Sequence, residues 1–268
     1  MKQMVQKMPS VSLTKKNVAI FGGSFDPPSI SHLQVASETI NLLGFDEVWL
    51  VPCGHRPDKK SLSAPERRLK MVELAVADFF PPNFPVKISR IEIDHGESIP
   101  TMYLMDRFNM EHGDTHKFYF IMGSDLIKSL HWWDDGERMI NTMRTIIFRR
   151  KGYNNDEIVN HPNFPKNDPI VLQEELSVIG VISSTEIRSR IAQNSLKPQV
   201  PHLGITGLVT PSVLNYIKDN QMYISPSAPI DLRTNDLNPV LQRQPSEATR
   251  ASDSQNNNDN SVPLFSND

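Results

Sequence analysis

Gly22-Gly23-Ser24-Phe25-Asp26-Pro27-Pro28-Ser29-Ile30-Ser31-His32-Leu33 follows an apolar run, Val18-Ala19-Ile20-Phe21, and leads into a segment where Leu33, Ala36, Ile40 and Leu43 recur at helical spacing. The stretch reads as strand, glycine turn and amphipathic helix. Two glycines at a strand exit let backbone N–H groups approach an anion, and the helix N-terminus adds the positive end of its dipole. His32, on the first helical turn, brings a side-chain donor to the same place. The pattern is a phosphate site built without a lysine.

Working outward, apolar runs alternate with helical patterns, which predicts an α/β fold with a mainly parallel sheet and helices on both faces. Asp46-Glu47-Val48-Trp49-Leu50-Val51 is a second strand ended by Pro52, and Pro65 opens a helix with Leu69, Val72, Val76 and Phe79 on one face. Further strands are expected at Val86-Lys87-Ile88-Ser89, at Lys117-Phe118-Tyr119-Phe120-Ile121-Met122, at Thr145-Ile146-Ile147-Phe148 and at Val178-Ile179-Gly180-Val181-Ile182, with a closing helix from Pro211 to Ile217. Residues 151–168, rich in Asn, Pro and charge, read as a long surface loop. His112 and His116, four apart, also read as loop residues and not as a metal site.

Three segments follow: a flexible start at 1–16, one catalytic domain at 17–224, and a disordered tail at 225–268. The tail is dominated by Ser, Asn, Asp, Pro and Gln, including Gln255-Asn256-Asn257-Asn258-Asp259-Asn260. Such a composition buries too little apolar surface to offset the entropy of ordering. The start carries Lys2, Lys7, Lys15 and Lys16 without an acidic residue, an arginine or an apolar core, so it does not read as a cleaved leader.

A net charge of −3 over 268 residues makes no bulk electrostatic case for nucleic acid or an anionic membrane. No run approaches the ~20 apolar residues that a membrane helix needs. The single Cys53 rules out an intrachain disulfide and a multi-cysteine zinc site, and fits a reducing, intracellular compartment, cytoplasmic or nuclear. Gly-x-x-x-x-Gly-Lys-[Ser/Thr], Gly-x-Gly-x-x-Gly and His-Glu-x-x-His are all absent from the sequence.

A second motif lies far along the chain. In Ile182-Ser183-Ser184-Thr185-Glu186-Ile187-Arg188, Ser183 and Glu186 have capping-box spacing, Ser184 and Thr185 offer hydroxyls and N–H groups, and Arg188 follows one turn later. The first stretch resembles the nucleotidyltransferase signature, a Gly-[Ser/Thr]-Phe-x-Pro turn followed by His-x-Gly-His. The second resembles the Ile-Ser-Ser-Thr-x-Ile-Arg motif of the nicotinamide/nicotinate mononucleotide adenylyltransferases. Ser29 stands in place of the first histidine of His-x-Gly-His and Ser31 in place of its glycine. The eukaryotic enzymes are similar there, with threonine in the first position and a non-glycine in the second.

This resemblance, covering about residues 17–223, implies a Rossmann-like fold and transfer of AMP from ATP, accompanied by Mg²⁺, to nicotinamide or nicotinate mononucleotide. The products would be NAD or deamido-NAD and pyrophosphate. Both reacting groups are ready-made anions, so donors and cations are needed rather than a covalent nucleophile. The resemblance places Gly22, Gly23, Ser24, Phe25, His32, Gly123, Asp125, Ser183, Ser184, Thr185 and Arg188 around ATP, with His32 and Arg188 as the catalytic pair. It places Arg56, Lys59, Thr101, Trp132, Trp133 and Arg150 on the mononucleotide side, with Trp133 stacking on the pyridine ring. His55-Arg56 precedes Arg67 at the spacing of a family pair. Two alternatives stand beside this reading: a phosphopantetheine or cytidylyl enzyme of the same superfamily, and a nucleotide-binding regulator or chaperone-like protein. The Ser-Ser-Thr form and Trp133 weigh against the first, intact His32 and Arg188 against the second. The choice between acid and amide acceptor stays open, as does the oligomeric state, a homo-oligomer included.

Overall fold

Residues 14–149, 155–172, 180, 182–194 and 203–224 are described by a computed structural model. Among them the strands are β1 (Lys16–Gly23), β2 (Glu47–Pro52), β3 (Val86–Ile88), β4 (His116–Gly123), β5 (Thr145–Phe148) and β6 (Ile170–Leu172). They form one all-parallel sheet in the order β3-β2-β1-β4-β5-β6. The order reverses between β1 and β4, as in a doubly wound Rossmann-like sheet, and a reversal sends the crossover helices to opposite faces.

Strand alternation shows both faces filled. In β1, Ala19 belongs to one buried cluster and Val18 and Ile20 to the other; in β4, Tyr119 and Ile121 oppose Phe118, Phe120 and Met122. The first face is covered by α1 (Ile30–Asn41), α2 (Pro65–Phe79), α7 (Ser184–Asn194) and α8 (Pro211–Asp219), through Leu33, Met71, Ile187 and Val213 among others. The second is covered by α4 (Thr101–His112), α5 (Gly136–Thr142) and α6 (Asn155–Val159), through Leu104, Phe108, Met139 and Ile158. A short α3 (Ile91–His95) and two 3-10 segments (Ser124–Trp132 and Leu203–Ile205) complete these elements. Among the described residues no helix is long and apolar enough to cross a membrane.

Several expectations need correction. The strand paired with the far side of β5 is Ile170–Leu172, a three-residue run too short to stand out from the polar stretch before it. Gly180 and Ile182 lie in no strand, and Val178, Ile179 and Val181 fall outside the described residues. The expected loop at 151–168 contains α6, fixed by burial of Ile158. His112 and His116 are not loop residues but end α4 and begin β4, packed around Trp49. Phe79, at the last position of α2, is 37% exposed, because the buried stripe of that helix runs through Arg68, Leu69, Met71, Val72 and Ala75. β1 begins at Lys16, two residues before the apolar run Val18–Phe21. The 225–268 tail lies outside the described residues.

At the amino edge of the sheet, Glu47 gathers three donors on a buried carboxylate: Lys16 Nζ at 2.9 Å, Lys87 Nζ at 2.6 Å and Trp49 Nε1 at 2.8 Å. Burial pushes its pKa up, but the hydrogen bonds from Lys87, Lys16 and Trp49 together outweigh that and bring it down to about 2. A depressed carboxyl pKa stabilises the fold fully above the unfolded value, about 4.3, and that contribution is lost as pH falls through the folded value. Glu47→Gln is therefore expected to cost about 1–2 kcal/mol at neutral pH, moderated by the exposure of both lysines. Thermal unfolding of both proteins from pH 7 down to pH 2 should show the two melting curves converging in acid.

Candidate active site

The reversal in strand order opens a crevice with a definite start. β1 and β4 stay in register only as far as Ile20 opposite Phe120, yet each strand runs three residues further, to Gly23 and Gly123. β1 remains paired with β2 through Gly23 opposite Pro52, and β4 with β5 through Gly123 opposite Phe148. The two glycine ends thus stand at a gap on the carboxyl edge, where open α/β sheets bind ligands. A Cβ on Gly23 would sit 3.1 Å from the Phe25 ring, so the glycine lets the chain turn tightly over that ring. Phe25 itself adopts φ +47 and is buried, its ring edge-on to Phe21 and His32. A large side chain in left-handed backbone is strained and needs such packing to persist.

His32 is oriented by Ser29. The Ser29 backbone N–H donates to His32 Nδ1 at 2.9 Å, and Ser29 Oγ lies 2.8 Å from the same nitrogen. Because an N–H can only donate, Nδ1 must accept, and in the neutral ring the proton sits on Nε2. The main chain at the position of the signature's first histidine therefore fixes the tautomer of the second. Beyond His32 a cleft of about 810 Å³ is lined by Ser24, Phe25, His32, Asp58, Lys59, Lys60, Ser61, Leu62, Ile182, Ser183, Ser184, Thr185 and Arg188. Both motifs meet there, with three cationic side chains and four serine or threonine hydroxyls besides Ser24.

The second motif is built as its spacing predicts. Ser183 Oγ accepts the Glu186 N–H at 3.1 Å and caps α7. The helix then binds the turn after β1: Ser184 Oγ donates to Pro27 O at 2.8 Å, and Arg188 Nη1 donates to Asp26 O at 2.7 Å. Asp26, fully buried, takes the Tyr223 hydroxyl on Oδ1 at 2.6 Å and the Ser63 N–H on Oδ2 at 3.0 Å. Burial and the adjacent Asp26 carboxylate hold the Tyr223 hydroxyl far above its usual pKa, so it stays a donor.

Residues 20–190 match the cytidylyltransferase-like family. The chain belongs to this family. It is 31% identical over 210 residues to a Halalkalibacterium halodurans protein named "Probable nicotinate-nucleotide adenylyltransferase", covering 78% of this chain and 91% of that one. A Clostridium acetobutylicum protein of the same name is 30% identical over 212 residues, 78% of this chain and 100% of that one. Among solved structures, Plasmodium falciparum nicotinic acid mononucleotide adenylyltransferase complexed with NaAD superposes with a TM-score of 0.64 at 30% identity, over 78% of this chain and 97% of that one.

In this cytidylyltransferase-like chain the remaining predicted residues are spread along the carboxyl edge. Lys59 lines the cleft, but Arg56 does not: its guanidinium is paired bidentately with Asp58, at 2.7 and 2.6 Å, and holds that carboxyl at about 2. Gly123 ends β4, Asp125 lies in the 3-10 segment after it, and Thr101 opens α4, half-buried. Trp133 is half-buried against the second core cluster, whereas Trp132 is 79% exposed beside His131. Trp133 thus keeps part of its ring accessible, and Trp132 carries the more exposed face. Arg150 lies outside the described residues.

The residue missed altogether is Arg68. Arg67 is exposed, while its neighbour is 1% exposed and donates from every N–H: Nε to Ser63 O, Nη1 to Ser24 O and Cys53 Sγ, Nη2 to Cys53 O and Gly54 O, at 2.6–3.2 Å. It ties the ends of β1 and β2 to the loop before α2. An arginine on the same helical stripe as Met71, Val72 and Ala75 was the available signal. Close by, Glu92 accepts the Gly54 N–H at 3.1 Å and the Ile99 N–H at 3.2 Å, and burial raises its pKa despite those bonds. Arg68→Met leaves four carbonyls without this partner and should cost about 3–5 kcal/mol. Arg68→Lys keeps the charge but offers three donors without the planar fork, so its stability should fall between. Chemical denaturation of the three proteins checks the order.

Proposed function

We propose that this protein transfers AMP from ATP to a pyridine mononucleotide, nicotinate mononucleotide being the acceptor that its relatives' names point to, and so makes the dinucleotide in NAD biosynthesis. The observation that carries the reading is the meeting of the two motifs in one cleft, with Ser183–Arg188 docked on the Gly22–His32 turn. A mononucleotide phosphate oxygen attacks the α-phosphorus of ATP; that P–O bond forms as the bond to the bridging oxygen breaks, and pyrophosphate leaves. His32 donates from Nε2–H, and Lys59 and Arg188 offset phosphate charge in the cleft. No group of three or more His, Cys, Asp or Glu side chains suited to a metal gathers among the described residues. Lys59, Ser183, Ser184, Thr185 and Arg188 in the cleft suit the phosphates of ATP, and Mg²⁺ arriving with the nucleotide would offset charge on those phosphates.

The mononucleotide lies along the carboxyl edge past Gly123, its ring on Trp132. Arg56 reaches its phosphate only after leaving Asp58. Steady-state assay with ATP, Mg²⁺ and a panel of acceptors, with product identification, tests the function: nicotinate and nicotinamide mononucleotides should give dinucleotides, while phosphopantetheine and CTP-dependent acceptors should not. His32→Ala should lower turnover ~10²–10³-fold with the fold intact. Trp132→Ala should raise the mononucleotide KM by roughly 5–100-fold with the ATP KM little changed. Trp133→Ala should instead lower the melting temperature, because its ring is packed.

A further inference from the structure

Gly180 and Ile182 lead directly into the second motif, yet neither belongs to a strand. Sheet pairing does not fix them; two side chains of α1 do. Ser31 Oγ donates to Gly180 O at 2.7 Å and accepts the Ile182 N–H at 3.2 Å, while Gln34 Oε1 accepts the Gly180 N–H at 3.1 Å. Residues three apart on a helix share a face, so Ser31 and Gln34 act on the incoming chain together. Ser31 is 7% exposed, and a Cβ on Gly180 would lie only 3.5 Å from its Oγ, so the two segments are in close contact. Ser29 adds a weaker link from the same turn, Oγ to Ile182 O at 3.3 Å.

We propose that Ser31 and Gln34 are positioning residues: a side-chain clamp that replaces a strand ladder and sets Ser183–Arg188 against His32, so that both sides of the cleft meet one triphosphate. The clamp rests on the reading of the cleft as the ATP phosphate site. It works because α1 carries His32 and the clamp within one turn, making the distance between the two motifs a property of a single rigid helix. Neither clamp residue needs to touch nucleotide.

The test uses the full chain with Ser31→Ala, Gln34→Ala, the double variant and Ser31→Thr. Each single alanine variant should raise the ATP KM roughly 3–10-fold and leave the mononucleotide KM within about twofold, as expected when two hydrogen bonds at Ser31 or one at Gln34 are lost and the effect falls on one substrate. The Ile182 amide should exchange faster with solvent in Ser31→Ala, with the melting temperature nearly unchanged, and Ser31→Thr, which keeps the hydroxyl, should recover both ATP KM and exchange. The double variant should depart from additivity, since both residues hold Gly180. An unchanged ATP KM with unchanged exchange would overturn the clamp. So would an equal rise in both KM values with a lowered melting temperature, which would make Ser31 a stability residue. Absence of dinucleotide product with the unmodified chain would instead overturn the adenylyl-transfer reading, and amide exchange, measured without substrate, would still decide whether the clamp holds the segment.

Discussion

The guanidinium of Arg68 is the constraint on which the carboxyl edge depends. Strands end with carbonyls directed away from any ladder, and a functional crevice needs several such ends side by side. Arg68 answers three of them, a fourth carbonyl from the loop before α2 and a thiol with all of its N–H groups, and none of those acceptors is a carboxylate. Asp26 and Arg68 grip Ser63 from its two ends, the carboxylate on the N–H and the guanidinium on the C=O. A cation kept this far from water is screened much less than Lys59 or Lys60 at the surface, so its field persists beneath the turn that carries Ser24. The same residue thus holds the shape of the proposed anion site and contributes to its sign.

Around that anchor the cleft is made mainly of backbone and hydroxyls. Ser29 sets the ring state of His32, Ser31 holds the approach to α7, and Ser183 and Ser184 cap and dock that helix. Departures from His-x-Gly-His at two positions therefore leave a connected structure, because each serine takes up a hydrogen-bonding task in the join between the motifs. Side-chain charge is confined to the rim and to Arg188, which is itself steered by Asp26 O and Thr185 Oγ1.

Local patterns were legible in the sequence and distant ones were not. The glycine turn, the His32 position and the Ser183–Glu186 cap depend on neighbours within four residues, and the structure has them as read. The places of the strands followed from alternation except at Ile170–Leu172, whose three residues give periodicity nothing to work on, and the order of the strands in the sheet was not readable from it. Arg68 was hidden because adjacent arginines on a helix look alike until one of them meets carbonyls from two strands. The tryptophans were hidden for the converse reason: the pair is visible, but only packing tells that Trp133 turns to the core and Trp132 to solvent.

The bonds that close the cleft join residues far apart in the chain: 149 positions for Ser31 to Gly180, 162 for Arg188 to Asp26 and 197 for Tyr223 to Asp26. Contacts of such separation form late, after the entropy of closing long loops has been met. During synthesis the glycine turn and His32 emerge early, but the cleft has no far wall until the chain near Arg188 has been made and docked. A nucleotide that bridges both walls binds only the finished domain and raises its stability by mass action. Nucleotide supply and the folded population of this protein are in that sense one equilibrium.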